Sequence, residues 1–189
     1  LVEVQLHELT TDAQVRELQA GRLDLGIGLA PVDEPGLRFD HLLFENLVLA
    51  VPSGHPAGRA GGSVDLRTLS GEAFIVPPRD VAPGLYDLII SQCRAAGFTP
   101  RVTQHARQMQ TVIGLVSSKM GLALVPASVQ NLKRPGVRYR HLHGRAAQVA
   151  LGTLRLRAAD NPLVARFRAT LEQAHVRVRG RAAARSTTA

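Results

Sequence analysis

One stretch of this sequence, residues 104–128, constrains the fold more than any other, and it reads QHARQMQTVIGLVSSKMGLALVPAS. Helical spacing of apolar residues predicts a helix whose buried stripe contains Val112, Leu115, Val116 and Met120. Gly121 stands where a glycine commonly ends such a helix, and the apolar run Leu122–Val125 predicts a strand covered on both faces that stops at Pro126. A helix leading into a doubly covered strand is the repeating step of an open α/β sheet.

The remaining sequence continues this alternation of helices and strands. Residues 1–6 (LVEVQL) and 22–28 (RLDLGIG) predict two strands, and a helix from Thr11 to about Ala20 lies between them with a Thr11–Gln14 capping box. This strand–helix–strand unit implies parallel pairing. Further along, Gly84–Ala96 predicts a helix, and Asn161 followed by Pro162 marks the start of a final helix.

Two adjacent apolar runs predict how the fold is divided. Leu37–Phe44 and Leu47–Val51 are separated only by Glu45-Asn46, which is not a hairpin turn. A strand that leaves one sheet and enters another has this appearance. We therefore predict an α/β protein with two small, mostly parallel sheets, joined at Glu45-Asn46 and again near Ala147–Leu151.

Length and composition indicate a soluble globular protein. The chain has 189 residues, of which 45% are hydrophobic and 20% charged, and it contains no apolar run of membrane-spanning length. The single cysteine, Cys93, excludes an internal disulfide framework and is compatible with a reducing cytoplasm. Part of the net charge of +8 comes from residues 175–189, which hold four arginines and no acid; they predict a disordered, basic, solvated tail.

The sequence contains little that predicts an enzyme. It lacks a Gly-x-Ser-x-Gly elbow and a Walker P-loop. Gly26-Ile27-Gly28 begins like a dinucleotide fingerprint, but Pro31 stands in place of the third glycine. We predict no catalytic residue and no cofactor.

A metal site is also not expected. His141 and His143 lie two residues apart on a predicted strand and could share a metal ion, yet the sequence places no third ligand beside them. They are interpreted as surface histidines. Cys93 lies on the apolar stripe of its helix, where a structural thiol is commoner than a reactive one.

Small polar or turn residues recur at the predicted helix N-termini, namely Thr10-Thr11, Ala82-Pro83-Gly84 and Gln110-Thr111. In doubly wound sheets these ends lie at the carboxyl edge of the strands, where ligands bind. Their unpaired N–H groups and threonine hydroxyls suit a carboxylate or another small anion. The alternative is that Thr11 only caps its own helix, and capping and ligand binding can coexist.

Four segments, in this order, resemble the effector-binding domain of LysR-type transcriptional regulators over about Leu1–Ala174. The likeness is greatest to the branch that senses aromatic-degradation compounds such as benzoate and muconate. The segments are VEVQLHELTTDAQVRELQAGRLDLGIG, LVLAVPSGHP, PGLYDLIISQCRAAGFTP and MQTVIGLVSSKMGLALVPAS.

The resemblance implies two Rossmann-like subdomains of periplasmic-binding-protein type, joined by two crossover strands, with a small-molecule inducer between them. One subdomain would comprise residues 1–45 plus 151–174, and the other residues 46–150. Matched positions in this family imply that Thr11 is a cleft threonine, that Pro83, Gly84 and Leu85 form the lip of the second subdomain, and that Leu151 is an apolar wall residue. Gln110 and Thr111 are further candidates for the site.

The resemblance also implies partners outside this sequence. Family members carry an N-terminal winged helix-turn-helix, a linker helix and one more strand and helix before LVEVQL, so we expect the sequence to be a fragment. We expect DNA binding through that absent domain, a homodimer or homotetramer, a cytoplasmic location and no membrane contact. A transport-type solute-binding protein with the same fold, or an enzyme on it, are the alternatives; a secretion signal upstream would favour the first and turnover of a ligand the second.

Overall fold

The computed structural model describes residues 2–59, 61–144, 147–159 and 161–186. Five α-helices are found in these residues: α1 (Thr11–Gln19), α2 (Pro56–Arg59), α3 (Pro83–Ala95), α4 (Met109–Ser117) and α5 (Pro162–Ser186). The strands of the same residues are β1 (Gly26–Leu29), β2 (Leu37–Pro52), β3 (Ala73–Val76), β4 (Arg101–His105), β5 (Ala123–Pro126), β6 (Val137–His141) and β7 (Gln148–Leu156).

The long strand β2 connects two lobes, each with its own sheet. Its first part, residues 37–46, pairs with β7, which also pairs with β1. Its second part, residues 47–52, pairs with β5 and β6. We call β1, β7, the first part of β2, α1 and α5 the first lobe, and the elements from residue 47 to β6 the second lobe. The predicted α/β fold with two lobes joined by crossover strands is confirmed.

The prediction of mostly parallel sheets is wrong. β3 and β4 pair in parallel, and Phe74 forms a parallel bridge with Leu122, the residue that precedes β5. The other strand pairs are antiparallel. The physical reason is the return of the chain: it leaves the first lobe along β2 and comes back along β7, so these neighbouring strands must run in opposite directions.

The strand expected at the start of the sequence is also not found. Residues 2–9 have no strand partner among the described residues, and the side chains of Val2, Val4 and Leu6 are exposed. Alternation of apolar residues predicts a strand only where a neighbouring strand and a core are available, because isolated strands are not stable in water.

The stretch at residues 104–128 folds largely as predicted. Val112 and Val116 of α4 are buried, and each residue of β5 is buried. The end of the helix is a correction: α4 stops at Ser117, Lys119 adopts the left-handed conformation (φ 61°), and Met120 is exposed. The Lys119 N–H donates to Val116 O (2.9 Å) and the Met120 N–H to Leu115 O (3.1 Å), which is the pattern of a Schellman motif.

Gly121 therefore does not end the helix, but its backbone position still requires glycine. A Cβ placed there would lie 2.8 Å from the carbonyl oxygen of Ala73. Gly121 allows β5 to begin close beside β3.

Two helix starts differ in how well the sequence predicted them. Thr10, not Thr11, is the N-cap of α1, and Gln14 instead donates to Leu9 O (3.0 Å) and Ile27 O (2.9 Å), so the predicted capping box is wrong. Asn161 is confirmed as a cap, because its Oδ1 accepts from the Leu163 N–H at 3.0 Å.

The final helix continues beyond the expected end. α5 is helical to Ser186, where the sequence predicted a disordered tail from residue 175; alanine and arginine are strong helix formers. Residues 187–189 of the predicted tail lie outside the described residues.

Hydrophobic cores lie on both faces of the second-lobe sheet and on one face of the first. Along β2, Leu47, Leu49 and Val51 enter one second-lobe cluster while Val48 and Ala50 enter the other, as expected for a strand covered on both sides. The first lobe has a smaller core of Val15, Leu18, Leu37 and Leu154. Among the helices that the structure describes, none has the length and apolar character needed to cross a bilayer.

Candidate functional site

A cavity of about 490 Å³ lies between the two lobes. Its walls come from the exposed face of α1, from the loop that follows β1, and from the segment that leads into α3. The size is within the usual range for a site that binds a small molecule. The lining residues are Thr11, Asp12, Val15, Arg16, Gln19, Leu29, Pro31, Val32, Asp33, Glu34, Asp80, Val81, Ala82, Pro83, Gly84 and Leu85.

Thr11 is placed at this cavity by the first turn of α1. Its hydroxyl lies near Gly28 of β1, since a Cβ added to Gly28 would be 3.4 Å from Thr11 Oγ1. The N-cap residue Thr10 makes no side-chain cap bond among the described residues. The first turn of α1 thus places the partial positive charge of a helix start beside a threonine hydroxyl, and the Asp12 carboxylate of the same turn accepts from the Ala13 N–H.

The start of α3 forms the opposite wall. Pro83 occupies the first helical position, where its missing N–H costs nothing, and Ala82 provides no side-chain cap in the described part of the chain. Gly84 brings this wall against the first lobe: a Cβ there would lie 2.2 Å from Pro31 Cδ and 2.6 Å from Ala30 O. The two lobes are thus in direct contact at the edge of the cavity.

The structure brings together four of the seven residues expected at the site. Thr11, Pro83, Gly84 and Leu85 line the cavity. Leu151 is outside the lining but pairs in register with Leu29, which belongs to it. Gln110 and Thr111 are exposed on the first turn of α4 and do not line this cavity.

Charged residues that the sequence analysis did not select also line the cavity. Asp12, Asp33, Glu34 and Asp80 contribute four carboxylates, and Arg16 contributes one guanidinium. Arg16 Nη1 bonds Asp12 Oδ2 at 2.9 Å. Partial burial would raise the pKa of Asp12, but hydrogen bonds, including the one from Arg16, hold it below its ordinary value. The polar part of the lining is therefore mainly acidic.

The nucleophile and metal candidates do not gather at the cavity. Burial raises the pKa of the Cys93 thiol to about 11, so the thiol is protonated at neutral pH and packs within the second-lobe core. Within the residues that the structure describes, no three His, Cys, Asp or Glu side chains are grouped so as to hold a metal ion. His141 ends β6 and His143 follows it, both exposed.

Two α/β lobes joined by crossover strands, with a cavity between them, define a ligand-binding module of periplasmic-binding-protein type. Comparison with known families gives the membership: the family model described as the LysR substrate binding domain matches residues 1–175. The chain belongs to this family.

Relatives and solved structures agree with this membership. The chain is 42% identical over 141 residues to the HTH-type transcriptional regulator IlvR of Caulobacter vibrioides, covering 73% of this chain and 47% of IlvR. It is 34% identical over 165 residues to the HTH-type transcriptional regulator CatR of Pseudomonas putida, covering 87% and 56%. The chain thus spans about half the length of these relatives.

A solved structure with the same fold is the effector-binding domain of BenM with its effector benzoate. The two superpose with a TM-score of 0.76 at 25% identity, covering 91% of this chain and 78% of that chain. BenM is an HTH-type transcriptional regulator of Acinetobacter baylyi.

Proposed function

We propose that this chain is the ligand-sensing domain of a bacterial transcriptional regulator and binds a small-molecule inducer between its lobes. The observation that carries the proposal is the inter-lobe cavity, which Thr11 reaches from the first lobe and Pro83, Gly84 and Leu85 from the second. The HTH-type relatives support a role in transcription over a role in transport. The protein would act in the cytoplasm, as a homodimer or homotetramer, on DNA bound by a helix-turn-helix domain outside this sequence.

The proposed mechanism is a shift between arrangements of the lobes. Residues 1–45 with 151–174 would move as one unit and residues 46–150 as the other, with β2 and β7 as the connection between them. An inducer that contacts both walls binds one arrangement more tightly, and its differential affinity sets how far the population shifts. No step of this mechanism makes or breaks a covalent bond, so we propose that the domain is not an enzyme.

We propose an aromatic monocarboxylate as the inducer class, in preference to a dicarboxylate. Val15, Leu29, Val32, Val81 and Leu85 give the cavity an apolar surface suited to a ring. The Thr11 hydroxyl and the first turns of α1 and α3 offer donors for one carboxylate. The four carboxylates of the lining outnumber its one guanidinium, so a second carboxylate on the ligand would add repulsion that a monocarboxylate avoids. Benzoate, the effector in the BenM structure, has this chemistry.

The proposal is tested by measuring benzoate binding by calorimetry to the wild type and to Thr11→Val. Valine has nearly the same shape but lacks the hydroxyl, so we expect about tenfold weaker binding, near 1.4 kcal/mol. Thr103→Val is the matched control, because Thr103 is exposed on β4 and outside the cavity lining.

Three outcomes would contradict parts of the proposal. Equal affinity of wild type and Thr11→Val would remove Thr11 from the site. Failure of benzoate and of a panel of other aromatic acids to raise the melting temperature would reject the inducer class, since a ligand that prefers the native state stabilises it. Chemical turnover of a bound acid, followed by chromatography, would favour the enzyme alternative.

A further inference from the structure

A second cavity, of about 500 Å³, lies in the second lobe at the end of its sheet opposite to the inter-lobe cavity. Parallel strands β3 and β4 begin here, at Ala73 and Arg101, while the inter-lobe cavity lies beyond the carboxyl end of β3. Leu122 and Pro52 complete the strand-derived part of the wall. We call this space the second-lobe cavity.

Three cationic side chains from three different elements converge on the second-lobe cavity. Arg59 ends α2, Arg101 begins β4, and Lys119 follows α4. None of the salt bridges within the described part of the chain includes any of the three. All three residues are exposed, and none of their charges is paired with a carboxylate among the described residues.

The one carboxylate of the described lining, Glu72, is bonded to a different residue. His55 Nε2 lies 3.1 Å from Glu72 Oε1. The Ala57 N–H donates to His55 Nδ1 at 3.2 Å, so Nδ1 is the acceptor and Nε2 carries the proton given to Glu72. Glu72 and His55 thus form a separate pair, and the surplus charge at the cavity is positive.

The position of Lys119 adds an independent observation. Lys119 has φ 61°, a left-handed conformation that glycine adopts without the steric cost that a side chain imposes. Two backbone hydrogen bonds, from Lys119 N to Val116 O and from Met120 N to Leu115 O, fix it there. The turn that ends α4 therefore fixes the backbone of Lys119 at the wall of the second-lobe cavity.

We propose that the second-lobe cavity binds a small anion of the phosphate class. Two guanidinium groups can each present paired N–H donors to phosphate oxygens, and an ammonium group adds a third positive charge. The volume accommodates a phosphate group with a small organic substituent. Binding here gives the regulator a second chemical input, received on the side of the second lobe that does not face the inducer.

The test is calorimetric titration of the whole chain with inorganic phosphate and, separately, with glucose 6-phosphate, at constant ionic strength maintained with chloride. The key variant is Lys119→Gly, which removes one charge and relieves the backbone, so its melting temperature without phosphate should rise. Its phosphate affinity should fall at least tenfold, and so should that of Arg101→Gln.

The chain provides a closely matched control in Lys133→Gly. Lys133 is also a lysine with positive φ (39°), and it lies outside the second-lobe cavity. We expect its phosphate affinity to equal that of the wild type. Benzoate affinity should be unchanged in Lys119→Gly, which separates this proposal from the inducer proposal.

The relative affinities for inorganic phosphate and glucose 6-phosphate identify which kind of phosphate ligand the cavity binds. Tighter binding of inorganic phosphate supports the free ion as ligand, and tighter binding of glucose 6-phosphate supports a phosphorylated metabolite. The proposal is overturned if neither ligand binds the wild type, or if Lys133→Gly weakens binding as much as Lys119→Gly does.

Discussion

Gly84 is the second residue of α3, and the first lobe leaves no room for a side chain at this position. A Cβ would lie within 2.6 Å of both Pro31 Cδ and Ala30 O, and neither atom can move without shifting backbone. The site residue predicted as part of a ligand-binding lip is thus also the point where the lobes meet. Its hydrogen side chain sets how closely they approach.

We expect Gly84→Ala to lower the free energy of unfolding by about 1–3 kcal/mol, the usual cost of overpacking. It should also weaken benzoate binding, because the cavity walls are displaced. Denaturant unfolding and calorimetry measure the two effects. Gly71→Ala is the control, since a Cβ there meets no described atom within 4 Å; a similar loss in both variants would contradict the contact.

The conformation of Lys119 and the close packing at Gly84 could not be predicted from the sequence. The pattern around Gly121 predicts the correct helix and strand, but the left-handed residue is Lys119, which nothing in the sequence distinguishes from its neighbours. The need for glycine at position 84 is equally hidden, because the atoms that impose it belong to residues 30 and 31. Close contacts between distant segments leave no local signal.

At the scale of elements, a cluster of charged side chains holds α5 on the first-lobe sheet. Asp40 of β2 is its centre, with only 13% of the side chain exposed. Its carboxylate lies 3.1 Å from Arg168 Nη2 of α5 and 3.3 Å from Arg155 Nε of β7. Arg168 Nε also donates to Thr153 Oγ1, a fully buried hydroxyl, at 3.2 Å.

The charge state of Asp40 makes this attachment dependent on pH. Partial burial raises the pKa of Asp40, but Arg38, Arg168 and Arg155 outweigh it, and the pKa in the folded protein lies below the ordinary value of 3.8. A carboxyl group with a lowered folded pKa contributes its full stability above the unfolded pKa. That contribution decreases as the pH falls below about 4 and is lost below the folded pKa.

We therefore expect Asp40→Asn to reduce the free energy of unfolding by about 2 kcal/mol at pH 7, because charged hydrogen bonds are lost. The difference from the wild type should shrink at pH 3. Urea unfolding at both pH values measures it. Asp87→Asn removes an ion pair whose two side chains are both more than half exposed, and it should cost less than about 1 kcal/mol. A loss equal to that of Asp40→Asn would contradict the role given to the cluster.

The elements themselves were largely predictable, and their pairing was not. Periodicity and turn residues located α3, α4, β5 and the start of α5, because these signals depend on local spacing. The acidic residues of the cavity lining, such as Asp33 and Asp80, lie in Pro-containing loops that look like ordinary solvated surface. Their place at a site follows from how the lobes pack, which spacing along the chain does not specify.

At the scale of the whole molecule, β2 and β7 make the stability of each lobe depend on the other. β2 is one continuous strand of 16 residues that belongs to both sheets. A hydrogen bond joins the lobes where it crosses: the Ser128 N–H of the second lobe donates to Glu45 Oε2 of the first at 2.9 Å. Unfolding of the first lobe would free residues 37–46, which continue without a break into residues 47–52, the part of β2 that pairs with β5 and β6. The lobes should therefore unfold as one cooperative unit although each has its own core.

This cooperativity predicts the effect of a core substitution that touches only the first lobe. Leu154 of β7 is fully buried with Leu18 and Leu37, so Leu154→Ala should cost about 2–5 kcal/mol. If the lobes unfold together, Leu154→Ala should lower the free energy of opening of the slowest-exchanging amides by the same amount in β5 of the second lobe as in β7. Hydrogen exchange measured by NMR separates the two cases. Faster exchange in the first lobe alone would show that the lobes unfold independently. The shared strand could then not convey the effect of inducer binding from one lobe to the other through its stability.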